Sequence, residues 1–257
     1  MAREADNRAE QDQDDVTSPW ASRWWQMSAL FLAVLLVLGV LVVIKSGGGS
    51  SKGEAGPSAP TSSPSASAST GKGACPELTD TGQEIPRTAP PANWALFRTV
   101  AVPSSKASGP AVVNGDVARC YAHTPTGALF AAAQISIRYT VASDWQTVIK
   151  KQTYGDGQAG LIKQRAKYEK EHTPVAPVPG ELGQFAGFQF VTYSKDIAVL
   201  QLVTKFSGSS ADSALQVSTV TLHWDSTKGD WLYEIPAVAA PQKSVPDLSG
   251  YVTWGGL

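Results

Sequence analysis

The pattern of apolar positions first marks one long uninterrupted run near the start of the chain. Residues 27–44, MSALFLAVLLVLGVLVVI, carry no charge, follow a tryptophan pair and end at Lys45. An α-helix rises about 1.5 Å per residue, so this run with its tryptophans spans about 30 Å, the hydrocarbon thickness of a bilayer. The pattern therefore predicts a transmembrane helix over residues 23–45, in contact with the lipid bilayer through residues 24–45.

This helix is predicted to be an uncleaved signal-anchor. A secretory signal has a short basic start, an apolar core of about 7–15 residues and a small-x-small cleavage site, and this run has none of these features. The alternative, a buried core helix, would show a polar face. Positive charges flank both ends, so the orientation is inferred from composition. A Gly/Ser/Ala/Pro tract and both cysteines follow the run, which predicts a single-pass protein of the cell membrane with its N-terminus in the cytoplasm and its C-terminal domain outside.

The stretches on either side of the apolar run lack the large side chains of a packed core. Residues 1–22 are acidic and are predicted to be a disordered cytoplasmic tail, with a docking peptide as the functional alternative. Residues 46–74 are rich in Gly, Ser, Pro and Ala and are predicted to be a flexible linker. Such a linker has a typical end-to-end distance of about 30 Å. The globular composition of residues 75–257 predicts one extracytoplasmic domain.

Helical periodicity appears first within that domain. Thr124 followed by Pro125 is a helix-start signal, because the hydroxyl can cap the first turn and proline needs no N–H there. Helices are predicted over residues 127–141, 144–154 and 157–172. The part before them is rich in Pro and Gly and contains one predicted strand.

The period then changes from helical to two. Alternation with short turns predicts a meander of antiparallel strands with one buried face. The fold prediction is therefore α+β, a cone-shaped domain of N-terminal helices packed on a bent antiparallel sheet. The alternating residues include Phe188, Phe190, Leu200, Leu202, Leu222, Trp224, Trp231 and Tyr233.

The two cysteines of the chain both lie in this domain. Two cysteines in an exported domain form a disulfide more often than they remain free thiols. A Cys75–Cys120 bridge would close a loop of about 45 residues and stabilise the domain by about 3–4 kcal/mol in the chain-entropy model.

The combination of an anchor helix, helices around TPTGALFAAA and a terminal HWDSTKGDWLYEIP hairpin resembles a known fold. It is similar to the fold of nuclear transport factor two, as used by scaffold subunits of type IV secretion and conjugation machines, including TcpC-like proteins. The segment before Thr124 also resembles a group of actinobacterial anchored proteins of unassigned role. The resemblance covers about residues 94–236 and implies assembly with other envelope proteins.

The sequence contains no motif that fixes a catalytic centre. Asp144, Tyr139, Tyr154 and His223 are candidate acids or bases, but none has a motif-defined partner. The histidines lack metal-ligand spacing, and no phosphate loop or nucleophile elbow occurs. Basic residues alternate with acids, which disfavours nucleic-acid binding. The prediction is a protein that is not an enzyme and has no cofactor, metal or catalytic residue.

The uncharged aromatic C-terminus is the remaining clue. Tyr251 and Trp254 could contact a partner, or they could pack against their own domain. The preferred hypothesis is a membrane-anchored scaffold or assembly subunit of an envelope complex, with conjugative transfer as the context and a homo-oligomer left open. The alternatives are an exported ligand-binding or enzymatic domain that uses the cone as a pocket, and a plain cell-surface structural protein.

Overall fold

The computed structural model describes residues 75–173, 182–206 and 215–256. Predictions for residues 1–22, 23–45 and 46–74 lie outside these ranges. The described helices are α1 (Pro125–Val141), α2 (Trp145–Gln152) and α3 (Gln158–Glu171). The described strands are β1 (Asn93–Phe97), β2 (Val100–Ser104), β3 (Val112–Asn114), β4 (Val117–Arg119), β5 (Thr153–Tyr154), β6 (Gln184–Tyr193), β7 (Ile197–Lys205), β8 (Leu215–Asp225), β9 (Asp230–Glu234), β10 (Lys243–Val245) and β11 (Val252–Thr253).

The described region is α+β and rich in sheet, but the predicted arrangement of N-terminal helices on a bent antiparallel sheet is wrong. Two hairpins, β1–β2 and β3–β4, precede the first described helix. The prediction assigned a single strand to the first hairpin. The backbone reverses there at Arg98, whose φ of 59° is uncommon for a residue other than glycine. The second hairpin turns at Gly115, with a φ of 58°.

The main sheet is mixed. Its strand order is β11-β6-β7-β8-β9-β5, and β10 pairs with β8. The strands β6 to β9 form an antiparallel meander, whereas β5 pairs with β9 in parallel. Strands β9 and β10 pair with the same edge of β8. Trp224 of β8 pairs with Trp231 of β9, and Gln216 pairs with Ser244 of β10.

Helix α1 packs against this sheet and forms the core. Thr124 caps it, since its hydroxyl accepts a hydrogen bond from the N–H of Gly127 at 3.0 Å. The run Ala131–Ala132–Ala133 is fully buried, and these small side chains let the helix lie close to neighbouring elements. Phe130 and Phe188 are also fully buried and fill the space between helix and sheet with apolar groups.

The other two helices follow α1 in the chain, and α2 contacts β5 and β9 of the main sheet. Trp145, Val148 and Ile149 of α2 are buried in a second apolar cluster. No residue of α3 is fully buried, but Leu161, Ile162 and Ala166 pack against the apolar clusters, and polar contacts add to this attachment. Arg165 donates from Nη1 to the carbonyl oxygen of Tyr139 at 2.7 Å, and its guanidinium lies 4.4 Å from the ring centroid of Trp145.

The transmembrane prediction needs a correction. The described helices contain 17, 8 and 14 residues, and none of them is long and apolar enough to cross a membrane. The predicted span, residues 23–45, lies outside the described ranges. No described helix therefore supports the transmembrane and signal-anchor description.

The aromatic C-terminus packs on its own domain. The sequence left open whether it would do so or contact a partner. Trp254 is 3% exposed. Its ring centroid lies 5.0, 5.5 and 5.6 Å from the ring centroids of Trp94, Phe130 and Phe188. Its indole N–H donates to the carbonyl oxygen of Pro90 at 3.3 Å. The hydroxyl of Tyr251 donates to Gln201 Oε1 at 3.1 Å.

We expect Trp254→Ala to lower the free energy of unfolding by about 3–5 kcal/mol, because it removes a large side chain from a closed aromatic cluster. Tyr251→Phe is the control, since it removes only one hydroxyl and should cost about 1 kcal/mol or less. Chemical denaturation measures both. Equal stability of Trp254→Ala and the wild type would contradict the packing described above.

Candidate functional site

The candidate site is a groove of about 880 Å³ beside the cysteine pair. Residues from four segments line it: 75–83, 117–124, 150–152 at the end of α2, and 224–232 in the β8–β9 hairpin. We call this surface the disulfide groove. Most of its lining belongs to loops and element ends, which is where binding residues commonly occur.

Cys75 and Cys120 form a disulfide bond, as predicted from the sequence. The bond joins the first described residue to the end of β4 and so fixes one wall of the groove. Nη1 of Arg119 lies 3.4 Å from the Cys120 sulfur and 3.8 Å from the Cys75 sulfur. Donor atoms of the two cysteines and Asp230 lie within 4.8 Å of one another. Because both sulfurs are used in the disulfide, this cluster does not offer a metal two thiolate ligands.

The buried carboxylate of Asp230 holds the floor of the groove. Its Oδ2 accepts a hydrogen bond from the N–H of Cys120 at 2.7 Å, and its Oδ1 accepts from those of Tyr121 and Trp231, both at 3.0 Å. Cys120 has a φ of 70°, a conformation that L-residues rarely adopt. The carboxylate therefore stabilises an unfavourable turn. Burial raises the pKa of Asp230 to about 6, although the three N–H groups act in the opposite direction.

A second carboxylate links residues 75–83, which we call the N-terminal wall of the groove, to the start of α1. Oδ2 of Asp80 accepts hydrogen bonds from the hydroxyls of Ser108, at 2.9 Å, and Thr124, at 2.7 Å. Since Thr124 also caps α1, the wall and the helix start share one hydrogen-bond network. Gln83 Nε2 donates to the carbonyl oxygen of His123 at 3.0 Å and closes the same wall further along.

Aromatic side chains line the side of the groove formed by the β8–β9 hairpin. The rings of His123 and Trp224 are stacked, with centroids 3.9 Å apart and planes 7° from parallel. A ring nitrogen of His123 also contacts the carbonyl oxygen of Lys195. The indole of Trp231 lies edge-on to His123 and donates to the carbonyl oxygen of Ala122 at 2.9 Å. His123 is thus held by stacking and hydrogen bonding.

The end of α2 supplies the uncommitted polar groups of the groove. Lys150 and Lys151 are exposed, and neither forms an ion pair within the described ranges. Gln152 is 3% exposed, and its Nε2 donates to the carbonyl oxygen of Ala118. Its Oε1 is buried and has no hydrogen-bond partner in the part of the chain that the structure describes. Such an orphaned buried acceptor is uncommon in folded proteins.

The four acid–base candidates from the sequence lie elsewhere. Tyr139 packs against Tyr233, with ring centroids 5.4 Å apart, and its enclosed position raises its pKa. Asp144 caps α2 by accepting from the N–H of Thr147 at 3.2 Å.

Two of these candidates do meet. Tyr154 lies 5.2 Å from His223 between ring centroids, on the sheet face that also carries Glu234. Burial, followed by the neighbouring Glu234, raises the pKa of Tyr154, which keeps its hydroxyl protonated. None of the three is among the residues that line the disulfide groove.

Sequence reasoning missed the roles of Asp230, Gln152 and the lysine pair. Asp230 lies in the HWDSTKGDWLYEIP hairpin that carried the resemblance, but nothing local indicated which N–H groups it would bind. Gln152 ends an ordinary amphipathic helix, and its orphaned oxygen follows only from the way the helix packs against β4.

The DUF8175 family, described as a domain of unknown function, matches residues 55–253. The chain belongs to this family. No curated protein and no solved structure matches the chain, so the comparisons give no link to nuclear transport factor two or to TcpC-like proteins. In this DUF8175 protein the matched range contains every residue of the disulfide groove.

We expect Asp230→Asn to lower the free energy of unfolding near neutral pH by about 2–3 kcal/mol, because an amide provides one acceptor oxygen and turns an NH₂ group toward backbone N–H donors. Asp247→Asn is the matched control at an exposed turn and should change stability by about 0.5 kcal/mol or less. Denaturant titration measures both. A stable Asp230→Asn protein would show that the carboxylate does not hold this turn.

The protonation of Asp230 should also make stability depend on pH. Its pKa is raised from 3.8 to about 6, so the folded protein holds this proton more tightly than the unfolded chain. This contribution to stability is complete below about pH 4 and is lost as the pH rises through about 6.

The free energy of unfolding of the wild type, measured relative to Asp230→Asn, should therefore fall from about pH 4 to about pH 6 and then level off. Denaturation at several pH values gives this difference directly. A difference that grows with pH would mean that the N–H bonds outweigh burial and lower the pKa.

Proposed function

We propose that this DUF8175 protein is a non-enzymatic, extracytoplasmic binding subunit that recruits another envelope protein through the disulfide groove. The observation that carries the proposal is that some polar groups of the groove are bonded within the fold and others are not. Its carboxylates hold the fold together, whereas Lys150 and Lys151 are exposed and form no ion pair among the described residues.

The commitment of the carboxylates supports binding over catalysis. A general acid or base must reach its substrate with a proton to give or a lone pair to use. Asp230 already accepts three backbone hydrogen bonds, and Asp80 accepts two from hydroxyls. His123 is stacked on Trp224 and in contact with a backbone carbonyl.

The disulfide supports a location outside the cytoplasm. Disulfides persist in oxidising compartments and are rare where cellular thiols keep cysteines reduced. The Cys75–Cys120 bond holds a wall of the groove, so the proposed binding surface requires the compartment in which that bond is stable.

The core between α1 and the sheet is filled, which favours the groove as the binding site over a pocket inside the domain. Phe130, Phe188 and Trp231 are fully buried between α1 and the sheet. The groove volume lies within the range of about 300–1,000 Å³ that small-molecule sites occupy, so volume does not decide between a small molecule and a protein segment. Exposed lysines along an open groove favour a segment of a partner protein.

The proposed context is an envelope-spanning complex, with a conjugative transfer machine as the first to test. The resemblance of the Trp-Asp…Gly-Asp-Trp hairpin supports this choice, and Trp224 of that hairpin lines the groove. A second copy of the chain is the competing occupant, since a homo-oligomer was left open by the sequence.

Crosslinking in intact cells tests the proposal. A tagged full chain should capture a defined set of envelope proteins in amounts comparable to its own. The double variant Lys150→Glu, Lys151→Glu should lose at least about 90% of this capture, because the charge of the proposed contact surface is reversed. The charge-matched control, Lys163→Glu with Lys170→Glu on exposed positions of α3, should retain it.

Three outcomes would contradict the proposal. Recovery of the chain alone would show that it does not recruit another envelope protein. Recovery of a second copy alone would replace recruitment by self-association. Equal capture by both double variants would place the binding surface outside the disulfide groove.

A further inference from the structure

We infer that the Cys75–Cys120 disulfide exchanges with a thiol that enters the disulfide groove. The incoming thiolate attacks Cys75 Sγ, the bond between the two cysteine sulfurs breaks, and its electron pair leaves with the sulfur of Cys120. A mixed disulfide then joins Cys75 to the incoming thiol, and the step needs no further oxidant or reductant. The inference goes beyond the proposed function, because it assigns a covalent step to the groove. Each event uses one disulfide of the protein and requires no turnover.

The two cysteines differ in their access to solvent, and this difference selects the sulfur that is attacked. Cys75 is partly exposed and lines the groove. Cys120 is 0% exposed and is not among the lining residues. The rate of exchange depends on whether the attacking thiolate can reach the sulfur. The groove therefore admits a thiol to Cys75 and makes Cys120 the leaving group.

The guanidinium of Arg119 stabilises this leaving group. Its Nη1 lies 3.4 Å from the Cys120 sulfur and 3.8 Å from the Cys75 sulfur. A neighbouring arginine favours the thiolate form of a cysteine, and a thiol that ionises more readily leaves faster. The positive charge thus offsets the cost of forming a charged sulfur at a position that is shielded from water.

Asp230 provides a second partner for the released sulfur. A carboxylate oxygen of Asp230 lies within 4.8 Å of both sulfurs, and its Oδ2 accepts the hydrogen bond from the N–H of Cys120. The carboxylate disfavours a thiolate at this position, but it can accept a hydrogen bond from a thiol S–H. Reduced Cys120 therefore has Arg119 as a partner in its thiolate form and Asp230 in its thiol form. Groups that stabilise the reduced form make a disulfide easier to reduce.

Most of the N-terminal wall is also bonded without the disulfide. The Asp80 carboxylate accepts from the hydroxyls of Ser108 and Thr124, and the Asp80 N–H donates to the carbonyl oxygen of Ala107 at 3.1 Å. Residues 75–79 precede these bonds in the chain. Exchange at Cys75 therefore releases a short segment, while the rest of the wall keeps its hydrogen bonds.

Reaction of the purified full chain with reduced glutathione tests the inference. The reaction is carried out without oxygen and stopped with N-ethylmaleimide, and mass spectrometry should find glutathione on Cys75 and maleimide on Cys120. The reference is the same chain unfolded in urea, where no fixed group lies beside the disulfide. The folded protein should react at least about fivefold faster than this reference, because only the fold stabilises the leaving group.

Variants of Arg119 test the role of its charge. Arg119→Gln should slow exchange in the folded protein at least about fivefold and leave the rate in urea unchanged, whereas Arg119→Lys should restore part of the loss. Arg87→Gln is the charge-matched control at an exposed position that does not line the groove, and it should stay within about twofold of the wild type. Circular dichroism shows which variants are folded. If Arg119→Gln does not fold, the comparison of folded and unfolded wild type decides.

A trapping experiment in intact cells identifies the source of the thiol. Cys120→Ser leaves Cys75 without its internal partner, so a mixed disulfide formed at Cys75 persists. The control is the chain with both cysteines changed to serine and Ser249→Cys at an exposed position outside the groove. A protein adduct found only with Cys120→Ser would identify a cysteine of a partner protein. An adduct with the mass of a small thiol would identify a low-molecular-weight thiol instead.

Three results would overturn the inference. Exchange that is no faster in the folded protein than in urea would make the bond a protected structural disulfide. Glutathione on Cys120 would place the attack on the other sulfur, and an unchanged rate for folded Arg119→Gln would remove the leaving-group argument. If crosslinking recovers a partner and the folded disulfide is protected, this inference fails while the proposed function stands.

Discussion

The Asp230 carboxylate accepts hydrogen bonds from Cys120 and Tyr121, which precede it by 110 and 109 positions in the chain. Through them it couples the β8–β9 hairpin to the turn that follows β4. That turn carries the disulfide and leads directly into α1, so the start of the central helix, the N-terminal wall and the meander meet at one buried group. An asparagine in its place would offer one acceptor oxygen and would turn an NH₂ group toward the N–H donors, and each unsatisfied donor would carry a desolvation cost.

The groove follows from this arrangement. Its N-terminal wall has no regular secondary structure, and a chain segment of that kind keeps a fixed position only when specific bonds offset its conformational entropy. The Cys75–Cys120 disulfide holds one end of the wall, and the hydrogen bonds of Asp80 and Gln83 hold the rest. A surface built in this way presents loop side chains at defined positions while the sheet behind it remains intact.

Local patterns of the sequence were sufficient for the three described helices and for strands β6 to β9. Capping residues and side-chain periodicity act within a few positions of one another, so they can be read without the tertiary structure. The β1–β2 hairpin was missed because Arg98 occupies a left-handed conformation for which its residue type gives no signal. The β3–β4 hairpin was missed although its turn carries Asn114-Gly115, a dipeptide typical of hairpins. Strand β5 was missed because Thr153 and Tyr154 form a two-residue strand, and their pairing with β9 depends on how α2 packs. The disulfide could be predicted because only two cysteines exist, whereas the groove depends on contacts between distant segments.

The lysine pair also has a simpler structural explanation, but this explanation does not cover the neighbouring Gln152. Cations in the last turn of a helix interact favourably with the helix dipole, and this effect alone accounts for a basic residue at the end of α2. It does not account for a neighbouring amide whose oxygen is buried without a partner, because that oxygen costs free energy in the unbound protein. Helix α2 therefore ends with a favourable feature and an unfavourable one beside the same groove.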